Sequence, residues 1–136
     1  MTDRCGIDTS ILVRLTIGQP EADFTKTAAV LTHMVEREHR QLFASNLVIG
    51  EAYVALQHHC SVSKLAAKSA LRSVLTSGLV SPLGGQDVLD ALAAARGCGL
   101  FDRLIALQYG ADEMTTLTLD RKMASLPNVT RLAAVV

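Results

Sequence analysis

Short apolar runs alternate with apolar positions at helical spacing along the whole chain, and this alternation predicts strands separated by helices. Arg4-Cys5-Gly6-Ile7 reads as a first strand, followed by a helix over Ser10 to Ile17 that stops near Gly18 and Pro20. A second helix fits Glu21 to about Glu38, with Phe24, Ala28, Leu31 and Val35 on one face. Gln41 to Ala44 reads as a strand, after which Ser45 or Asn46 caps an apolar helix running to about His59. Ser63 opens another helix through Leu65, Ala67, Leu71 and Leu75, ending at Gly78. Leu79 to Ser81 is a third strand, with Pro82 and Gly84-Gly85 as breakers. Asp87 to Arg96 is helical, Gly97-Cys98-Gly99 interrupts, and Phe101 to Tyr109 resumes helix. Met114 to Leu119 is a Thr-rich strand, and a short helical turn and a last strand, Val129 to Leu132, follow. No repeat, linker or low-complexity segment breaks the pattern. The expected fold is α/β, with a mainly parallel sheet covered by helices on both faces. In such folds ligands gather at the carboxyl ends of the strands.

Composition narrows the class. The chain has 136 residues, so a single domain spanning 1–136 is expected. With 49% apolar and 19% charged residues it can bury a core and is not a disordered tail. Thirteen basic residues balance thirteen acidic ones, so bulk positive charge cannot drive nucleic-acid binding. A local basic patch or a metal ion would have to serve instead. Cys5, Cys60 and Cys98 are odd in number and far apart, and read as buried thiols of a reducing compartment. Asp3, Arg4 and Asp8 interrupt the start before a secretory signal develops, and no apolar run reaches the about 20 residues that span a bilayer. A cytoplasmic protein without membrane contact is the expectation. The chain has no Trp, two Tyr and three Phe, so stacking on splayed bases is not its expected recognition device.

Acids stand where acids are scarce. Asp8 closes Cys5-Gly6-Ile7 and Asp120 closes Thr116-Leu117-Thr118-Leu119, each at the carboxyl end of a strand. Both positions also suit a helix N-cap. Glu51 has Leu47, Val48, Val54 and Ala55 three or four residues away, so it falls on an apolar stripe. A carboxylate buried on such a stripe must be paired, protonated or bound to a cation, and a structural salt bridge is the plain alternative. Asp102 lies between Leu100-Phe101 and Leu104-Ile105-Ala106 near a helix start, where capping is again open. Arg103 beside it points about 100° away on a helix and is a poor partner. Together these are two strand-end aspartates and two acids on helices flanking the same end of the sheet. Carboxylates about 4 Å apart repel by roughly 1 kcal/mol in water, and by more where partly buried. Convergence of this kind makes sense around a hard divalent cation with oxygen ligands, Mg2+ or Mn2+.

At these residues the sequence resembles the PIN-domain nucleases, and among them the VapC toxins of bacterial type II toxin–antitoxin pairs. The matching pieces are Ile7-Asp8-Thr9-Ser10-Ile11-Leu12, Asn46-Leu47-Val48-Ile49-Gly50-Glu51, Phe101-Asp102-Arg103-Leu104-Ile105-Ala106 and Thr118-Leu119-Asp120-Arg121-Lys122-Met123. They run in order, with family-like spacing, over essentially the whole chain. The resemblance implies a three-layer α/β/α sandwich with a mainly parallel central sheet. Asp8, Glu51, Asp102 and Asp120 match the family's acidic quartet, which holds Mg2+ or Mn2+ and hydrolyses RNA phosphodiester bonds. Asp8 and Asp102 would be the main ligands, with Glu51 and Asp120 completing the shell and orienting the attacking water. Ser10 and Thr118 match the polar positions that support the quartet. A cognate antitoxin and a homodimer are the implied protein partners, with the helices Glu21 to Glu38 and Asn46 to His59 as interface candidates. Arg103 departs from the family, which often has a small residue there, and the neutral net charge departs from the basic character expected of an RNA enzyme.

Other features stand beside the quartet. Lys64, Lys68 and Arg72 form a basic stripe, read as a solvated face opposite Leu65, Leu71 and Leu75, with contact to RNA phosphates as the alternative. Arg103, Arg121 and Lys122 neighbour the acids and are better phosphate candidates. His58-His59-Cys60 lacks a second ligand pair at zinc-like spacing, and the glycine pairs lack the Lys of a phosphate loop. A phosphotransfer or receiver domain wants an acid beside Asp8 and a Lys after a late strand. A phosphatase of Asp-x-Asp type wants an acid where Ser10 stands. A catalytically silent PIN-like partner-binding scaffold is the remaining alternative.

Overall fold

A computed structural model describes residues 3–132. Side-chain caps start three of the six α-helices among the described residues, and a glycine closes one. The Asp8 carboxylate accepts the Ile11 amide N–H and starts α1 (Thr9–Ile17), which Gly18 closes in the left-handed region at φ 69°. α2 (Glu21–Glu36) follows Pro20. The Ser45 hydroxyl caps α3 (Asn46–His59), and the Ser63 hydroxyl caps α4 (Lys64–Leu75). α5 (Gln86–Ala93) and α6 (Leu100–Ala111) start at Gly85 and Gly99, with no side-chain cap.

Between the helices lie short strands: β1 (Arg4–Gly6), β2 (Gln41–Ala44), β3 (Val80–Pro82), β4 (Thr116–Thr118) and β5 (Val129–Arg131). The protein is therefore α/β. Among the described residues the ladders form two sheets, β1-β2-β3 and β4-β5, and every pairing is parallel. Cys5 stands opposite Leu42, and Leu42 opposite Val80. The parallel pairs require the long helical crossovers found between them. Leu12, Ile49, Leu56, Leu71, Val80 and Val88 are fully buried and knit helices to strands in one apolar cluster. Burying each such side chain contributes about 1.5–3 kcal/mol before entropy is counted. Among the described residues no helix is long and apolar enough to cross a membrane.

Several expectations change in detail. The third strand lies one residue later than Leu79 to Ser81, and the expected breaker Pro82 is its buried last residue. Proline is tolerated because, among the described residues, β3 ladders with β2 alone, so its missing N–H interrupts no ladder. Cys98 is buried, but Cys5 and Cys60 are only half-buried thiols. Leu65 does not join Ala67, Leu71 and Leu75 in the core and is 70% exposed. The basic stripe on α4 is not simply solvated either. Lys68 Nζ donates to Ala94 O at 2.6 Å, and Arg72 Nε donates to Leu89 O at 3.3 Å. Lys68 thus sits at the carbonyl end of α5, where the helix dipole is negative, and Arg72 reaches a carbonyl in its middle.

Leu71→Ala is expected to cost about 2–5 kcal/mol by chemical denaturation, because it opens a cavity in the core. Leu65→Ala should change stability by no more than about 0.5 kcal/mol. Equal losses would contradict this placement of α4.

Candidate acidic site

Asp8 stands just beyond β1, where the ladder ends with Ile7 N–H donating to Phe43 O at 2.8 Å. Its Oδ1 accepts the Ser10 hydroxyl at 2.6 Å and the Ile11 amide at 3.1 Å. The capping reading therefore holds for Asp8. It also suits a charged role, since the Ser10 hydroxyl first, and the Ile11 amide next, hold the carboxyl below its ordinary 3.8. Asp8 is an exposed, well-anchored carboxylate.

Glu51 corrects an expectation. It is exposed on α3 together with Leu47 at 67% and Val54 at 39%, while Val48 and Ala55 of the same stripe are half-buried. Helical spacing shows which residues share a face but not which way the face points. Burial thus imposes no pairing on Glu51. Its position is set instead by Thr9, whose hydroxyl donates to Glu51 Oε2 at 3.2 Å and joins the start of α1 to α3. Sequence reasoning passed over Thr9; its adjacency to Asp8 was the available signal.

The next residue down α3 explains Asp102. A Cβ on Gly50 would lie 2.5 Å from Phe101 Cε1, so only glycine admits the ring in its present place. One turn away, the buried Asn46 donates from Nδ2 to Leu104 O at 3.0 Å. These contacts set α6 antiparallel against α3 and place Glu51 and Asp102 one residue beyond Gly50 and Phe101. Asp102 is half-buried in the first turn of α6 but is not its cap, which is Gly99. Ion pairs within 4.0 Å among the described residues use Asp23 and Glu38, and none uses Asp8, Glu51, Asp102 or Asp120.

Asp120 lies beyond β4, in the second sheet. Its Oδ1 accepts the amides of Lys122 at 2.7 Å and Met123 at 3.2 Å, and its own N–H donates to Thr118 Oγ1 at 3.0 Å. These bonds brace the turn leading into the 3-10 helix Met123–Ser125, whose N-cap position is Lys122 rather than Asp120. No hydrogen bond among the described residues ties Asp120 to the other acids. Thr9, next to Asp8 in the chain, bonds Glu51, and the Gly50–Phe101 contact packs the residues preceding Glu51 and Asp102 against each other.

In its chemistry this donor set fits a hard divalent cation, being all-oxygen, anionic and unneutralised. Its convergence is incomplete, since among the described residues no three His, Cys, Asp or Glu side chains group closely enough to hold an ion. The cations expected nearby divide into two kinds. Arg121 and Lys122 are exposed, whereas Arg103 turns back to donate to Cys98 O at 3.2 Å and Arg96 O at 2.6 Å. A concavity of about 510 Å3 lies between α5, α6 and the segment before β5, with Asp87 and Asp90 on its wall and Asn46 and Arg103 at its lining. An open carboxylate cluster needs no deep cavity, so the acids rather than this groove define the candidate site. The chain matches no family model and no curated protein.

The Asp8 anchoring has a sign that pH can test. Because folding lowers this carboxyl, its contribution to stability is complete above the ordinary 3.8 and is lost as pH falls through the folded value. In Ser10→Ala, a carbon-detected NMR titration should show Asp8 protonating at higher pH than in the wild type. An unchanged midpoint would mean that the hydroxyl does not stabilise the carboxylate.

Proposed function

We propose that this chain is a Mg2+- or Mn2+-dependent endoribonuclease of the PIN type, the toxin of a type II toxin–antitoxin pair. The proposal includes the three-layer α/β/α sandwich, with β4 and β5 extending the β1-β2-β3 sheet. The observation that carries it is the pair Glu51 and Asp102, flanking the Gly50–Phe101 contact with no cation within 4.0 Å among the described residues. Acids maintained without neutralisation suit a site that takes its positive charge from outside.

Asp8 and Asp102 would hold the metal, with Glu51 and Asp120 completing the set directly or through water. When bound, such an ion supplies a water of lowered pKa and offsets phosphate charge. The chain's own residues prepare for it. Ser10 keeps Asp8 ionised, Thr9 holds one Glu51 oxygen, and Thr118 accepts the Asp120 amide. Positive charge for the RNA backbone would come from exposed Arg121 and Lys122, since Lys68, Arg72 and Arg103 are bound to carbonyls. So few phosphate contacts imply modest salt dependence.

An antitoxin and a second copy of the chain are the proposed protein partners. Leu47 on α3 and Phe101, Ile105 and Tyr109 on α6 leave apolar surface exposed along the seam between these helices. The same surface favours the second reading, a catalytically silent partner-binding scaffold, as does the incomplete convergence of the acids.

Cleavage of single-stranded RNA decides between the readings. Activity should vanish in EDTA and return with Mg2+ or Mn2+, and Asp8→Asn and Asp102→Asn should each lose on the order of 100-fold. Full-rate cleavage in EDTA, or wild-type turnover in either variant, would overturn the metal-dependent assignment. A folded protein that cuts no RNA under any metal would favour the scaffold.

A further inference from the structure

α6 carries Asp102, yet it begins without the side-chain cap that fixes α1 and α3. Gly99 offers no oxygen to its first turn, and the lead-in Gly97-Cys98-Gly99 is rich in the residue that costs most to order. The side-chain hydrogen bonds that hold this lead-in come from Arg103. Its Nε and Nη2 reach back to the carbonyls of Cys98 and Arg96. Between them Gly97 adopts φ +89°, and a Cβ there would stand 3.0 Å from Nη2. A cation in the first turn of a helix opposes the macrodipole, so Arg103 is poorly placed for helix stability alone. Its engaged guanidinium also makes no ion pair with neighbouring Asp102 within 4.0 Å.

We propose that Arg103 is a positioning residue for the acidic site: its guanidinium straps the 96–98 backbone to the start of α6, fixing Asp102 while keeping its own charge away from that carboxylate. This rests on the metal-site reading above. Lysine cannot replace it, because one ammonium lacks the fork that spans two carbonyls. Loss of the strap frees the helix start and leaves a cation able to swing onto Asp102, and both effects weaken cation binding there.

The test measures Mg2+ binding to the full chain by isothermal titration calorimetry, with amide exchange over residues 95–102 in parallel. Arg103→Lys should bind Mg2+ roughly 10- to 100-fold more weakly and exchange faster across this segment. Gly97→Ala, which strains the backbone at φ +89° and crowds Nη2, should do the same with Arg103 intact. Methylguanidinium should restore Mg2+ binding to Arg103→Ala and not to Arg103→Lys; if Arg103→Ala does not fold, Arg103→Lys and Gly97→Ala carry the test. Faster exchange with wild-type Mg2+ affinity would overturn the proposal, leaving Arg103 a merely structural clamp. Asp102→Asn separates the two failures. If it weakens Mg2+ binding and Arg103→Lys does not, the strap alone is wrong. If it too binds Mg2+ like the wild type, the site reading fails and the strap falls with it.

Discussion

A missing side chain at position 50 governs how the acids are arranged. The ring of Phe101 lies where a Gly50 side chain would be, and this contact sets the separation of α3 and α6 beside the residues that matter. Asn46 fixes the same pair of helices a turn away through the Leu104 carbonyl. With α3 placed, Thr9 joins its carboxylate to the start of α1. Thr9 thus links the start of α1 to the Glu51 carboxylate, and the Gly50–Phe101 contact brings α6 against the same stretch of α3, although these residues are far apart in sequence.

The distribution of positive charge completes the arrangement. Lys68, Arg72 and Arg103 direct their donors to the carbonyls of residues 89, 94, 96 and 98, along α5 and the connection to α6. A hydrogen bond from a charged donor contributes about 1.5–3 kcal/mol, so these cations serve stability where they are. The acids in turn keep their charge uncompensated.

Much of the fold was legible because its boundaries are local. Asp8, Ser45 and Ser63 cap helices and Gly18 ends one, and these signals need no tertiary knowledge. Gln41–Ala44 is the strand read from its apolar run. What could not be read was the direction each face points. Glu51 shares a stripe with Leu47 and Val54, yet all three lie exposed; Leu65 has the spacing of a core residue and lies in water. The cations were misjudged for a related reason, since a basic stripe looks the same whether its partners are water, phosphate or a carbonyl of another helix. The division of the strands into two ladders lies beyond periodicity altogether, because register between distant strands leaves no mark on either one.

At the candidate site, the identity of the acids was legible and their mutual placement was not. Asp8 caps α1 and Asp120 accepts two amides of the turn after β4, and both still stand at strand ends. Whether Asp8, Glu51 and Asp102 act as one cation site is the central claim, and the acidic groove at Asp87 and Asp90 is its natural competitor. Mn2+ distinguishes them directly, because it broadens the NMR signals of nuclei nearest to it. Under a substoichiometric Mn2+ titration, the amides of Asp8, Thr9, Glu51 and Asp102 should disappear first and together. Broadening centred on Asp87 and Asp90, or spread evenly over the surface, would contradict the account.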